Sequence, residues 1–201
     1  MEILDVEPNS PEWFVCRSGL PTASEFHHVQ AKKGPRGGIP RGRQKLLWRL
    51  AGEIITGEPE STYQNANMER GHEVESEASD LYAMLRDVEP QIVGFVKNGN
   101  CGASPDRFIG DDGLLEIKSA IGSIQIERLL KGALPTEHVA QCQGQLMVTE
   151  RQWLDYLSYC RGIAPLIVRV ERDEEYIDAL RIDIGDFVSE LDELVTKIGE
   201  L

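Results

Sequence analysis

Pro105-Asp106 is followed, after nine residues, by Glu116-Ile117-Lys118. The run between them, Arg107 to Leu115, carries Gly110-Asp111-Asp112-Gly113 between apolar residues, a strong turn signal. Strands are therefore expected at about Cys101–Ile109 and Leu114–Lys118, joined as a hairpin. Alternate side chains of a strand share a face. Glu116 and Lys118 then point the same way, Ile117 points into the core, and the hairpin brings Asp106 alongside. Two carboxylates and an ammonium on one sheet face are costly to crowd together unless a divalent cation sits between the acids.

The 201 residues, 41% of them hydrophobic, suffice for one sizeable core, and a single domain over 1–201 is expected. No stretch has the apolar length of a membrane span, and the acidic N-terminus lacks a secretory pattern. Cys16, Cys101, Cys142 and Cys160 show no metal-ligand spacing and fit reduced thiols in a cytoplasm, not a disulfide framework. The net charge of -13 argues at first against a nucleic-acid partner. The distribution matters more. No acid lies between Glu25 and Glu53, whereas Lys32, Lys33, Arg36, Arg41, Arg43, Lys45 and Arg49 all do, one third of the 21 basic residues. The strip is either a solvated loop or a DNA-tracking arm.

Ser10-Pro11 opens a short helix, and Thr22-Ala23-Ser24-Glu25 has the form of a capping box for a helix to about Ala31. Residues 32–43, rich in Gly and Pro, are expected as a mobile basic loop. Apolar spacing predicts helices at about Gln44–Thr56 and Asn67–Arg86, the latter with Val74, Ala78, Leu81, Tyr82 and Leu85 on its inner stripe. A strand at Gln91–Lys97 leads to an Asn98-Gly99 turn. Helices near Ile124–Lys131 and Glu137–Thr149 follow the hairpin. Strands at Trp153–Tyr159 and Leu166–Glu171 are joined by a Gly-Ile-Ala-Pro turn. The tail from Glu174 is helical, interrupted near Gly185. This order predicts an α/β fold, a central mixed sheet flanked by helices. Trp13, Trp48 and Trp153 are expected in the core.

Glu75 could supply a third carboxylate, with Glu73 and Glu77 as competitors. Gln141 begins a Gln-x-Gln-x-Gln run; Gln143 and Gln145 are expected to point elsewhere on that helix, so that at most one or two of the three face a cleft. Taken together, Gly71-x-x-x-Glu75-x-x-Ala78, Ser104-Pro105-Asp106, Leu115-Glu116-Ile117-Lys118 and Val139-Ala140-Gln141 resemble the phage lambda exonuclease family. These are the YqaJ-type viral recombinases of the PD-(D/E)XK nuclease superfamily. Thr22-Ala23-Ser24-Glu25, with Arg17 upstream, resembles that family's N-terminal segment. The likeness runs from about Pro11 to Glu174.

The resemblance implies a restriction-endonuclease-like core and Mg2+-dependent 5'→3' digestion of one strand of linear double-stranded DNA. A 3' overhang is left for a single-strand annealing protein, and relatives form a ring-shaped homotrimer. Glu75, Asp106, Glu116 and the Ile117 carbonyl would bind Mg2+, with Mn2+ able to substitute. Lys118 would orient or deprotonate the attacking water, and Gln141 would help orient it. Arg17, Ser24 and Ser104 would hold a 5'-phosphate, and Lys32, Lys33, Arg41 and Arg43 would contact DNA. Where the family has Cys-Pro and an arginine after the lysine, this chain has Ser119 to Ile124, so Gln125 or Arg128 is left to replace that arginine. Two other readings stay open: a PD-(D/E)XK endonuclease acting as a dimer, and an inactive DNA-binding descendant.

Overall fold

The turn at Gly110 does close a hairpin. Gly110 takes the left-handed conformation, φ 52°, which a glycine adopts without strain. In a computed structural model the described residues are 1–31, 38–60 and 66–201, with backbone only for 66–73. Strand β4 (Arg107–Ile109) pairs antiparallel with β5 (Gly113–Ser119), Arg107 opposite Leu115. The chain then crosses over through α5 (Gly122–Lys131), a 3-10 turn (Thr136–His138) and α6 (Val139–Thr149). It returns as β6 (Trp153–Cys160), parallel to β5. A parallel partner requires such a crossover. β7 (Ile163–Glu171) closes a four-stranded mixed sheet in the order β4-β5-β6-β7. The expected Gly-Ile-Ala-Pro turn is shorter: Gly162 turns, φ 83°, and Pro165 already lies in β7. An edge strand tolerates a proline because one side of it needs no ladder donor.

The expected strand Cys101–Ile109 is two strands in two sheets. β1 (Glu2–Leu4), β2 (Phe95–Asn98) and β3 (Cys101–Ala103) form an antiparallel sheet of their own. Ser104-Pro105-Asp106 is the break that carries the chain from it to β4. Pro105 has no N–H to give a ladder, so pairing stops there. Helix α6 lies between the sheets, touching β2 and β3 on one side and β6 on the other. Its residues from Cys142 to Thr149 are all buried, as a helix covered on every side must be.

The N-terminal elements pack on this frame. Helix α1 (Pro11–Arg17) is capped by Ser10, whose Oγ accepts from the Trp13 amide. The expected capping box is not one. Thr22 caps no amide; a 3-10 turn (Ala23–Glu25) leads into the short α2 (Phe26–Val29). Thr22 Oγ1 instead donates to Glu25 Oε2, 3.1 Å. Helix α3 (Arg41–Thr56) starts inside the expected mobile loop, so Arg41 and Arg43 are helical; Lys32 and Lys33 lie outside the described residues. Helix α4 (Ala66–Arg86) buries Ala78 and Tyr82 against Leu115, Ile117 and Leu157, on the sheet face away from α6. Leu85, expected on that stripe, is exposed. Helix α7 (Glu174–Gly199) runs unbroken through Gly185. The roughly 1 kcal/mol cost of a mid-helix glycine is outweighed by Ile177, Leu180, Ile184, Phe187 and Leu191, all buried. Trp48, expected in the core, is exposed. No described helix is long and apolar enough to cross a membrane.

Candidate active site

At the open end of the β4–β5 hairpin three segments meet. Asp106 stands just before β4, and its Oδ2 accepts from the Ile117 amide at 2.5 Å. In a strand the amide and carbonyl of one residue point to the same side. The Ile117 carbonyl therefore also faces the Asp106 side, beyond the point where β4 has ended. Glu116 points to the α6 face and is 2% exposed. Lys118 Nζ sits 2.5 Å from its Oε1. Gln141 Nε2 donates to the same oxygen and Gln145 Nε2 to Oε2, each at 2.6 Å. Glu75 comes from α4 on the other face and binds Arg107 at 2.8 Å. The sheet thus brings Glu75, Asp106, Glu116, Ile117, Lys118 and Gln141 to one place.

Of the glutamine run, positions 141 and 145 face the site, one helical turn apart. Gln143 points away, donating to the Glu171 carbonyl and accepting from the Asp173 amide. Gln145 was the residue the sequence hid. Its i, i+4 spacing from Gln141 was the available signal. Its Oε1 is buried without a partner among the described residues.

The electrostatics follow from crowding. Burial first, then the charges of Glu116 and Glu75, push the Asp106 carboxyl well above the ordinary carboxylate range. Burial works against the Lys118 ammonium, but Glu116 and Asp106 outweigh it and hold its pKa above the ordinary lysine value. Among the described residues no group of three or more His, Cys, Asp or Glu stands assembled as a ligand cluster, since Glu75 holds Arg107 and Glu116 holds Lys118 and two amides. The donor chemistry nonetheless fits a hard divalent cation. Three carboxylates feel one another, all the donors are oxygen, and the charge crowding at Asp106 is what a cation would relieve.

A second cluster adjoins it. Arg17 donates to Ser104 Oγ (3.1 Å) and Thr22 Oγ1 (3.3 Å), and its guanidinium lies 4.0 Å from the centre of the Trp13 ring. Ser24 Oγ is 3.3 Å from Thr22 Oγ1. A parallel bridge between Thr22 and Gly102 sets this segment against the strand that leads to Ser104. Burial pushes the Arg17 guanidinium down to about 10, still charged at neutral pH. Trp13, Arg17, Thr22 and Ser24 line a cleft of about 280 Å3 together with Glu25, Arg49, Glu53 and Glu60, Arg49 pairing with Glu25 and Glu53. Arg17, Ser24 and Ser104 are thus brought together, two residues upstream of Asp106. Arg41 is exposed at the start of α3. Arg43 is engaged elsewhere, bonding the Val29 carbonyl and Glu190, each at 2.7 Å.

A mixed sheet covered by helices on both faces, with a carboxylate–lysine centre where its central hairpin opens, is the fold of a nuclease. The sequence signature of the YqaJ-like viral recombinase domain matches residues 12–152, and the chain belongs to that family. It is similar to an alkaline exonuclease, LHK-Exo, from Laribacter hongkongensis, with 31% identity and a TM-score of 0.85 over 95% of this chain and 97% of that one. A structure of LHK-Exo in complex with dAMP matches equally well. A phage-related exonuclease from Haemophilus somnus 129PT shares the fold, with 15% identity and a TM-score of 0.67 over 89% of this chain and 96% of that one. No curated protein matches the chain significantly.

Proposed function

We propose that the protein is a Mg2+-dependent exonuclease that digests one strand of linear double-stranded DNA in the 5'→3' direction, leaving a 3' overhang for phage-type recombination. One observation carries the reading. The Arg17–Thr22–Ser24–Ser104 cluster, apt for a terminal phosphate, sits two residues upstream of Asp106. An end-binding cleft beside a hydrolytic centre is what end-dependent digestion needs. The similarity to an alkaline exonuclease supports it, as does that relative's complex with dAMP, a mononucleotide of the kind exonucleases release.

Asp106, Glu116, the Ile117 carbonyl and Glu75 would hold Mg2+, or Mn2+ in its place, which supplies Lewis acidity toward the phosphodiester and its attacking water. Around it the chain's own groups do the rest. With a cation on Glu116, Lys118 would be free to turn its ammonium, which the neighbouring carboxylates keep protonated, toward the attacking water. There it orients the nucleophile and offsets charge on the phosphorane-like transition state. Gln141 and Gln145 fix the two oxygens of Glu116. Arg17 sets the strand end, so that one register of the backbone meets the centre. By family likeness, a single-strand annealing protein takes the product strand and three copies form a ring around the duplex.

Linear duplex with 5'-phosphates and Mg2+ should be shortened from its ends while a covalently closed circle survives. Lys118→Ala should slow digestion by about a hundredfold or more while the chain still folds. Equal cutting of the circle would favour a dimeric endonuclease. Full activity in the lysine variant would remove Lys118 from the chemistry.

A further inference from the structure

Arg107 belongs to none of the motifs that pointed to this site. It is the first of the residues between Asp106 and Glu116. It stands opposite Leu115 in the β4–β5 pairing, and Leu115 packs against Ala78 and Tyr82 of α4. The arginine side chain therefore leaves the sheet on the α4 side. Its Nη1 donates to Glu75 Oε1 at 2.8 Å and to the Asp106 carbonyl at 2.5 Å. It is 12% exposed, so water and salt screen its charge poorly.

Among the described residues the centre thus carries two built-in cations beside its three carboxylates. Lys118 sits on Glu116 and Arg107 on Glu75, while Asp106 takes the Ile117 amide. Each ion pair engages a carboxylate that a divalent cation would also use. Lys118 is placed to act on the attacking water once Glu116 has turned to the cation. Arg107 lies on the other face of the sheet, anchored to the backbone of Asp106 as well as to Glu75, so its charge stays beside the centre.

An arginine in that position acts on an incoming divalent cation in two opposite ways. By fixing Glu75 it preorganises a ligand, which tightens binding. By its own charge it repels the ion and occupies a carboxylate oxygen, which weakens binding. The second effect is the larger. Holding one carboxylate in place is worth no more than a hydrogen bond or two, whereas a single and a double positive charge a few ångströms apart, largely out of water, oppose each other more strongly. We propose that Arg107 competes with the divalent cation for Glu75 and so keeps cation binding by the DNA-free protein weak. This rests on the metal centre of the proposed exonuclease reading and deepens it. A DNA phosphate beside the ion supplies negative charge that offsets Arg107, so cation and substrate favour each other's binding.

The test is calorimetric titration of Mn2+ into the metal-free protein, without DNA, comparing wild type with Arg107→Met. The variant should bind Mn2+ about tenfold or more tighter, even though it has lost an ion pair. Arg107→Lys, which keeps the charge, should stay close to wild type. An arginine that only ties α4 to the hairpin predicts the reverse. Equal or weaker Mn2+ binding by Arg107→Met would therefore overturn the proposal. Where the methionine variant does not fold, Arg107→Gln gives the same comparison, because its amide can still bond Glu75 or the Asp106 carbonyl without a charge. Leaving out DNA separates the two readings. Tighter Mn2+ in the variant of a protein that spares duplex ends would fail the exonuclease reading and keep the competition. Equal affinities in a protein that digests from ends would do the opposite.

Discussion

At Asp106, burial and the carboxylates of Glu116 and Glu75 all favour the protonated form. The folded protein therefore binds this proton more tightly than the unfolded chain does. From this group, stability of the metal-free protein falls as pH rises from the ordinary carboxylate range toward the raised value, and stays low beyond it. Asp106→Asn keeps an acceptor for the Ile117 amide but cannot ionise. Metal-free, it should melt above wild type at neutral pH and lose the decline with pH. Adding Mg2+ or Mn2+ should raise the melting temperature of wild type and not of the variant, because ligand binding to the folded state is itself stabilising. A variant that melts below wild type at pH 8 without metal would contradict this account of the charge cluster. The same residue-level view explains Glu116. A carboxylate 2% exposed is tolerable because Lys118, Gln141 and Gln145 supply donors to both its oxygens.

Among the elements, α6 does the most positioning. It carries Gln141 and Gln145 to Glu116, and it also backs the end-binding segment. Gly144 makes the second contact possible. A Cβ there would come within 2.3 Å of the Phe26 ring and 3.4 Å of Ala23 Cβ. Phe26 is fully buried and cannot swing clear. Gly144→Ala should therefore destabilise the protein by about 1–3 kcal/mol, as overpacking does, visible as a lower melting temperature. It should also weaken preference for a 5'-phosphate over a 5'-hydroxyl end, because the displaced 3-10 turn bears Ser24. Unchanged melting would mean that α6 and the turn can separate at no cost. The break at Ser104-Pro105-Asp106 is the other decisive element. It ends one sheet, starts the next, and in three residues supplies both the arginine's hydroxyl partner and the half-buried Asp106 carboxylate.

For the whole molecule, the assembly proposed from family likeness is a trimer, three times 22.5 kDa in solution by light scattering; a mass of two chains would favour the endonuclease alternative. The hairpin, the helix positions and the charged cast of the site were legible in the sequence. They rest on local rules: turn chemistry at Gly110–Gly113, a period of two in β5, a period near 3.6 in α3, α4 and α6. Family resemblance singled out Glu75 and Arg17, which local rules alone leave among many surface charges. What the chain by itself did not disclose is where each polar group ends. That Arg43 closes on Glu190, that Thr22 serves Arg17 and Glu25 instead of a helix end, and that Gln145 rather than Gln143 reaches Glu116 depend on contacts between residues far apart in the chain. Hydrogen bonds are short and directional, so their partners are chosen only when packing has fixed every backbone. Hydrophobic periodicity needs no such precision, which is why the elements could be read and the connections between them could not.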